Sequence, residues 1–240
     1  MRGMAVNDTE GTPLSLRERK KQRTLEELAD CAARLFEAQG FEATTLEEVV
    51  AAAEVSKRTF FRYYGSKEAV ALAPEGLLWE RYVAEVADRP LRGAVLDTLR
   101  TALLDTVEAM PPGWEERFYA CRRLAAHSPT PALRDHTVLA SFHAQAELTA
   151  ILERRLGISS EADVRLRMLG EFALSAWRCG AKEWVMGREP GQTGHPAMDA
   201  TPDPRDAATA VRVRGGRERL LRRVDEAFAA IPASLALSAD

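Results

Sequence analysis

Apolar residues in this 240-residue chain return at intervals of three and four, and no segment sustains an alternation of period two. Side chains three or four apart share one face of a helix, whereas a strand sends successive side chains to opposite faces. The rhythm therefore commits the chain to helix packed on helix, and an all-α fold is expected.

Punctuation divides the rhythm into elements. Residues 1–15 mix Gly, Pro, Asn, Asp and Thr without periodicity and read as a disordered arm. From Leu16 a first helix carries Leu25, Leu28, Ala32, Leu35 and Phe36, and Gly40 stands where a left-handed cap would end it. Thr45-Leu46-Glu47-Glu48 fits a capping box, in which hydroxyl and carboxylate each satisfy a free backbone amide. The short helix it opens ends near Glu54. Ser56 caps another through Tyr64, Gly65 breaks it, and Ser66 starts a fourth running to the middle eighties. Further on, Leu96, Leu99, Leu103, Val107 and Met110 form one stripe. After Pro111-Pro112-Gly113 a shorter helix bears Trp114, Phe118 and Cys121. Thr130-Pro131 opens a long helix with Val138, Phe142, Leu148, Leu152 and Leu156, closed by Gly157. A helix from Ser160 is apolar on two adjoining faces, Val164, Met168, Phe172 and Ala176 on one, Leu169, Ala173, Trp177 and Trp184 on the other, as burial on both sides requires. Residues 187–204, rich in Pro and Gly, read as a mobile loop. The last helix bears Leu221, Val224, Phe228 and Ile231; it is not expected to run back through Gly215-Gly216, at a cost of about 1 kcal/mol each.

A formal charge of −3 argues superficially against an anionic partner, but the distribution reverses that conclusion. Residues 17–23 carry five positive charges and one negative (+4), residues 56–67 carry Lys57, Arg58, Arg62 and Lys67 with no acid (+4), and residues 24–55 between them hold one Arg against eight acids (−7). Two basic blocks around an acidic one confine positive potential to one face. A short helix, a tight turn and a second short helix with exposed cations is the helix-turn-helix plan. In the second helix Phe60 and Tyr64, four apart, face inward with Val55; Lys57, Arg58, Phe61 and Arg62 fall opposite, with Tyr63 at the edge. A major groove would supply phosphates for Lys and Tyr and a guanine edge for a bidentate Arg. The block Arg17–Arg23 (Arg17 and Lys20 foremost) is either a tail or an arm reaching phosphates or the minor groove.

Phe41-Glu42-Ala43-Thr44-Thr45-Leu46, followed by the run from Val55-Ser56-Lys57-Arg58 through Phe60-Phe61-Arg62-Tyr63-Tyr64-Gly65-Ser66-Lys67-Glu68, closely resembles the DNA-binding domain of the TetR family over residues 16–70. The resemblance implies a helix-turn-helix domain at 16–66 and a larger helical domain at 67–235 that binds an effector and dimerises. It implies that Thr45 and Ser56, at helix N-termini, lie near the backbone, that Lys57, Arg58 and Arg62 meet base edges or phosphates, and that Tyr63 and Lys67 meet phosphates. Two positions depart from the family. Glu54 stands where Gly is common, so the turn is strained or differently shaped; Phe61 stands where Tyr is common, which exchanges a phosphate hydrogen bond for apolar contact. The family's last two helices form a four-helix bundle with a second subunit, for which the two-faced helix and the 217–231 stripe are suited. A homodimer on a palindromic operator, released by a small and largely apolar effector, is the expected outcome. Candidate pocket residues are Trp114, Phe118, Cys121, Phe142, His143, Met168, Phe172 and Trp177, with His136 one helical repeat from His143.

Other chemistries find little support. There is no nucleophile elbow, glycine-rich phosphate loop or HExxH, and the pairs Glu47-Glu48 and Glu115-Glu116 splay across their helices. Cys31, Cys121 and Cys179 lack metal-ligand spacing and suit a reducing cytoplasm. No apolar run approaches the roughly 18 residues that span a bilayer. Neither catalysis, a cofactor nor a membrane is expected. The rival reading is a helical small-molecule carrier or enzyme whose basic face is incidental.

Overall fold

The computed structural model describes residues 15–187 and 207–238, in which every regular element is a helix. The disordered arm expected at 1–15 and the mobile loop expected at 187–204 lie, but for Ser15 and Gly187, outside the described residues. The order is α1 (Leu16–Gln39), α2 (Leu46–Ala52), α3 (Lys57–Tyr63), α4 (Lys67–Ala71), α5 (Ala73–Asp88), α6 (Val95–Glu108), α7 (Trp114–His127), α8 (Pro131–Leu156), α9 (Arg165–Met186), α10 (Ala207–Val213) and α11 (Gly216–Leu235).

Local chemistry sets most of these bounds. Ser15 and Glu18 cap α1 reciprocally, as Thr45 and Glu48 cap α2, while Ser56 and Ser66 accept the amides of Thr59 and Ala69 at the starts of α3 and α4. Two expectations are corrected. The helix from Ser66 is interrupted at Leu72, because Pro74 has no N–H to give the Val70 carbonyl, and α5 restarts with that proline in its first turn. The helix expected from Ser160 begins at Arg165; residues 159–164 form a turn in which Asp163 takes the Arg165 amide (3.0 Å) and guanidinium. A further helix, α10, precedes the last one, and the break between them falls at the glycine pair as its cost implies: Gly215 caps α11, Gly216 opens it, and both adopt left-handed φ (72° and 58°).

α1 packs on α2 and α4, and α2 on α3. The larger domain is built from α5 against α6, α7 and α8, with α9 lying most extensively along α11. Its interior is a run of touching rings. Trp79 meets Trp177 edge-on at 6.0 Å, Trp177 meets Phe118 at 5.3 Å, Phe118 stacks on Trp114 at 4.9 Å, and Trp184 joins Phe118 to Tyr119. The expected stripe of α8 is only half right. Leu148 and Leu152 are buried, but Val138 and Phe142 are exposed at 50% and 57% because Leu133, Ser141 and Ala144 face the core instead. On α9 the face with Ala173, Trp177 and Trp184 is buried, whereas Val164 and Met168 of the adjoining face are open in the single chain.

The α9–α11 crossing is close because Gly180 lets it be. A Cβ placed there would lie 2.6 Å from Val224 Cα and 2.7 Å from the Arg223 carbonyl, against backbone that cannot step aside. Gly180→Ala is expected to destabilise the fold by about 1–3 kcal/mol, read from denaturant midpoints at unchanged slope.

Candidate nucleic-acid interface

The helix-turn-helix is set by what α3 buries. Phe60 is fully enclosed, with the Tyr64 ring 6.2 Å from it and the Tyr64 hydroxyl donating to the Leu25 carbonyl at 2.9 Å. With that side inward, Lys57, Arg58, Phe61 and Arg62 emerge together into solvent, and Phe61 is 52% exposed. Among the described residues Arg58 makes no hydrogen bond or ion pair. Arg62 lies over the Tyr63 ring at 4.7 Å and donates to its hydroxyl at 3.1 Å, so the two form one cationic-aromatic unit.

The turn before α3 keeps its shape at a cost. Glu54 has φ +52°, the conformation glycine favours, and it is the one non-glycine residue with positive φ among the described residues. Backbone bonds from Glu54 N to Ala51 O (3.1 Å) and Val55 N to Val50 O (3.0 Å) hold it there. The left-handed region costs an L-residue about 1–2 kcal/mol, part of which glycine would give back in chain entropy. Glu54→Gly is expected to raise stability by up to about 1 kcal/mol in a thermal melt, with α3 unmoved.

The other candidates occupy definite places. Thr45 spends its hydroxyl and its amide on Glu48 (2.9 and 2.7 Å), and the Ser56 hydroxyl is shared with Thr59 at 3.0 Å. Both remain exposed at helix N-termini. Arg17 and Lys20 sit exposed in the first turns of α1, so they are presented from a helix and not from an extended arm. Lys67 is also corrected. Its ammonium donates to the Phe41 and Thr44 carbonyls at 2.8 and 2.9 Å and lies 4.2 Å from the Phe41 ring centre, so it braces the turn before α2 instead of projecting outward.

One interaction was not legible in the sequence. Lys57 donates to Glu47 of α2, whose carboxyl is held below the usual carboxylate range by that bond. Ten residues and a turn separate the partners, and no helical spacing relates them. A phosphate that engaged this lysine would have to compete with Glu47. Glu47→Gln is expected to tighten binding to random duplex DNA and to steepen the dependence of log K on log salt by up to about one, measured by salt titration.

The candidate pocket residues do not share a cavity. Trp114, Phe118, Cys121 and Trp177 belong to the closed aromatic interior, while Phe142 and His143 are exposed on α8, Met168 is 43% exposed on α9 and Phe172 is half-buried. The helical periodicity that grouped them is silent about which side of α8 faces in. Burial pushes the Cys121 thiol well above its usual range, and its sulfur contacts the Phe118 carbonyl at 3.1 Å, which disfavours a reactive thiolate. A cleft of about 770 Å³ runs between α1 and the start of α5; its lining includes Trp114, alone among these candidates, together with His136 and Thr137 of α8.

The two domains are also clasped. Glu42, in the turn before α2, accepts from Ser128 Oγ (2.6 Å) and Thr130 Oγ1 (2.8 Å) in the α7–α8 turn, and both bonds draw its carboxyl below the usual range. Thr130 therefore makes no side-chain cap on α8, the role its sequence position suggests.

Residues 28–73 match the family model described as bacterial regulatory proteins of the tetR family. The chain is 32% identical over 174 residues to the HTH-type transcriptional regulator TcmR of Streptomyces glaucescens, covering 71% of this chain and 77% of that one. Looser structural overlaps include Salmonella enterica GusR, at 18% identity and TM-score 0.41 over 83% of this chain and 96% of that one. A TetR-family regulator from Streptomyces coelicolor overlaps at 19% identity and TM-score 0.36, over 85% and 96%. By the match to TcmR and the matched N-terminal domain, this chain belongs to the TetR family of transcriptional regulators, with a helix-turn-helix DNA-binding domain ahead of a larger helical one. No helix among the described residues is long and apolar enough to cross a membrane.

Proposed function

We propose that the chain acts as a homodimeric repressor on a palindromic operator and leaves it when a small effector binds, with residues 16–66 as the reading head and 67–235 as the effector-binding and dimerisation body. The observation that carries the DNA reading is the exposed set Lys57, Arg58, Phe61 and Arg62 on one side of α3, opposite a fully buried Phe60. Arg58 is free to take a guanine edge, Phe61 offers apolar contact to a thymine methyl, and the Arg62–Tyr63 unit serves a base edge or phosphate. Arg17 and Lys20, on the exposed start of α1, serve flanking phosphates, and the N-termini at Thr45 and Ser56 approach the backbone. Lys67 supports this face from within.

Dimerisation has a physical motive. A seven-residue helix reads a few base pairs, whereas two such helices about 34 Å apart read both halves of a palindrome. The open Val164–Met168 face of α9 and the neighbouring α11 supply surface for a four-helix contact.

Binding fragments selected from random DNA provide the test. Arg58→Ala is expected to lose about 1–3 kcal/mol on the selected sequence and to relax base preference at one position in each half-site. Equal losses on every sequence would remove Arg58 from base reading, and no DNA affinity at ~0.2 M salt would overturn the reading as a whole.

A further inference from the structure

One carboxylate stands among the cations on the exposed side of α3. Glu47, in the first turn of α2, is ion-paired with Lys57 at the start of α3, and the two side chains remain 63% and 54% exposed. A pair so open to water adds little to folding, and the turn beneath it is already held by the backbone bonds of Glu54 and Val55. Lys57 is the one side chain that bonds Glu47 among the described residues. The neighbouring Glu48 is spent differently, its carboxylate accepting from the Thr45 amide (2.7 Å) and from Gln39 (3.2 Å). The bond from Lys57 keeps Glu47 ionised, and an ionised carboxylate only accepts. The exposed side of α3 thus presents an ammonium with an acceptor beside it, next to Arg58 and Arg62.

The DNA backbone offers such an acceptor nothing, because phosphate oxygens are acceptors and carry the same charge. Base edges do offer donors in the major groove: the N6 amine of adenine and the N4 amine of cytosine. Their surroundings differ. Across an A·T pair the amine lies between two acceptors, adenine N7 and thymine O4, so a carboxylate drawn to it is opposed from both sides. Across a G·C pair the order is N7, O6, N4, with both acceptors on the guanine side and the amine beyond them. An ammonium and a carboxylate held side by side match that order. We propose that the Lys57–Glu47 pair reads one G·C base pair as a unit, Lys57 donating to guanine O6 or N7 and Glu47 accepting from N4 of the paired cytosine. Glu47 is then a specificity residue: its charge weakens binding to every other sequence and is compensated at this base pair alone. The inference rests on the DNA reading above and names the base that this part of the helix-turn-helix selects.

The test uses the full chain on the sequence selected from random DNA, with each cytosine of a half-site replaced in turn by N4-methylcytosine. That methyl group takes the place of the amine hydrogen facing the major groove, while the pairing with guanine and the guanine O6 and N7 acceptors stay as they were. Affinities are compared as methylated over unmethylated DNA, so the uniform gain from removing the Glu47 charge cancels. At one cytosine the parent is expected to weaken by about tenfold, whereas Glu47→Ala, an exposed change, should weaken there by no more than about twofold. The parent measurement needs no variant. A half-site in which no cytosine responds in the parent overturns the inference, and so does a response of equal size in Glu47→Ala. Either result leaves the DNA reading standing, because the selected sequence is still bound. A parent chain without DNA affinity at ~0.2 M salt removes that reading, and the role of Glu47 with it.

Discussion

The burial of Phe60 is the contact on which the DNA-binding face depends. A helix as short as α3 has little stability of its own, since forming the first hydrogen-bonded turn is unfavourable and few residues follow to repay it. Tertiary packing has to hold it. Once Phe60 is enclosed and the Tyr64 hydroxyl is tied to Leu25 of α1, rotation of α3 about its axis is fixed, and Arg58, Phe61 and Arg62 have only one direction to point. The Glu54 turn upstream and the Lys67 brace downstream set the two ends of the same element. A left-handed glutamate is tolerated there because the surrounding bonds over-determine it.

Two kinds of contact join this head to the rest of the molecule. Glu42 is gripped by Ser128 and Thr130, and α4 runs from the brace at Lys67 into the break at Leu72. The clasp is polar, partly exposed and made of groups that each have an alternative. Thr130 can cap its own helix, and Glu42 can be solvated. A junction of that kind changes state at small cost, in contrast to the ring-on-ring interior behind it, where close packing resists partial displacement.

Much was legible from residue order. The capping box at Thr45, the serines before α3 and α4, and the glycines that end α1 and α8 are local devices whose partners lie within four residues, so sequence spacing identifies them; the equivalent box at Ser15 was passed over because the residue stood in the segment read as a disordered arm. The inward side of α3 was equally readable, because Phe60 and Tyr64 are the apolar pair on an otherwise basic helix. The inward sides of α8 and α9 were less so. Val138, Phe142 and Met168 have the right spacing and the right chemistry for a core, yet Leu133, Ser141 and Ala144 turned out to be the inward side of α8. Where several sides of a helix are apolar, periodicity does not choose among them.

Sequence by itself determined the helical class of the chain, the side of α3 that faces solvent and the family to which the chain belongs, because each is encoded within a turn or two of chain. Tertiary structure decided the partner of Lys57, the redirection of Lys67, the use of Thr130 by Glu42 and the position of the open cleft. Each of these joins residues separated by a turn or by whole helices, and the energy that selects them comes from how helices dock. That docking is set by side-chain volumes packed together in three dimensions, as at Gly180 against Val224, and no spacing rule along the chain records it.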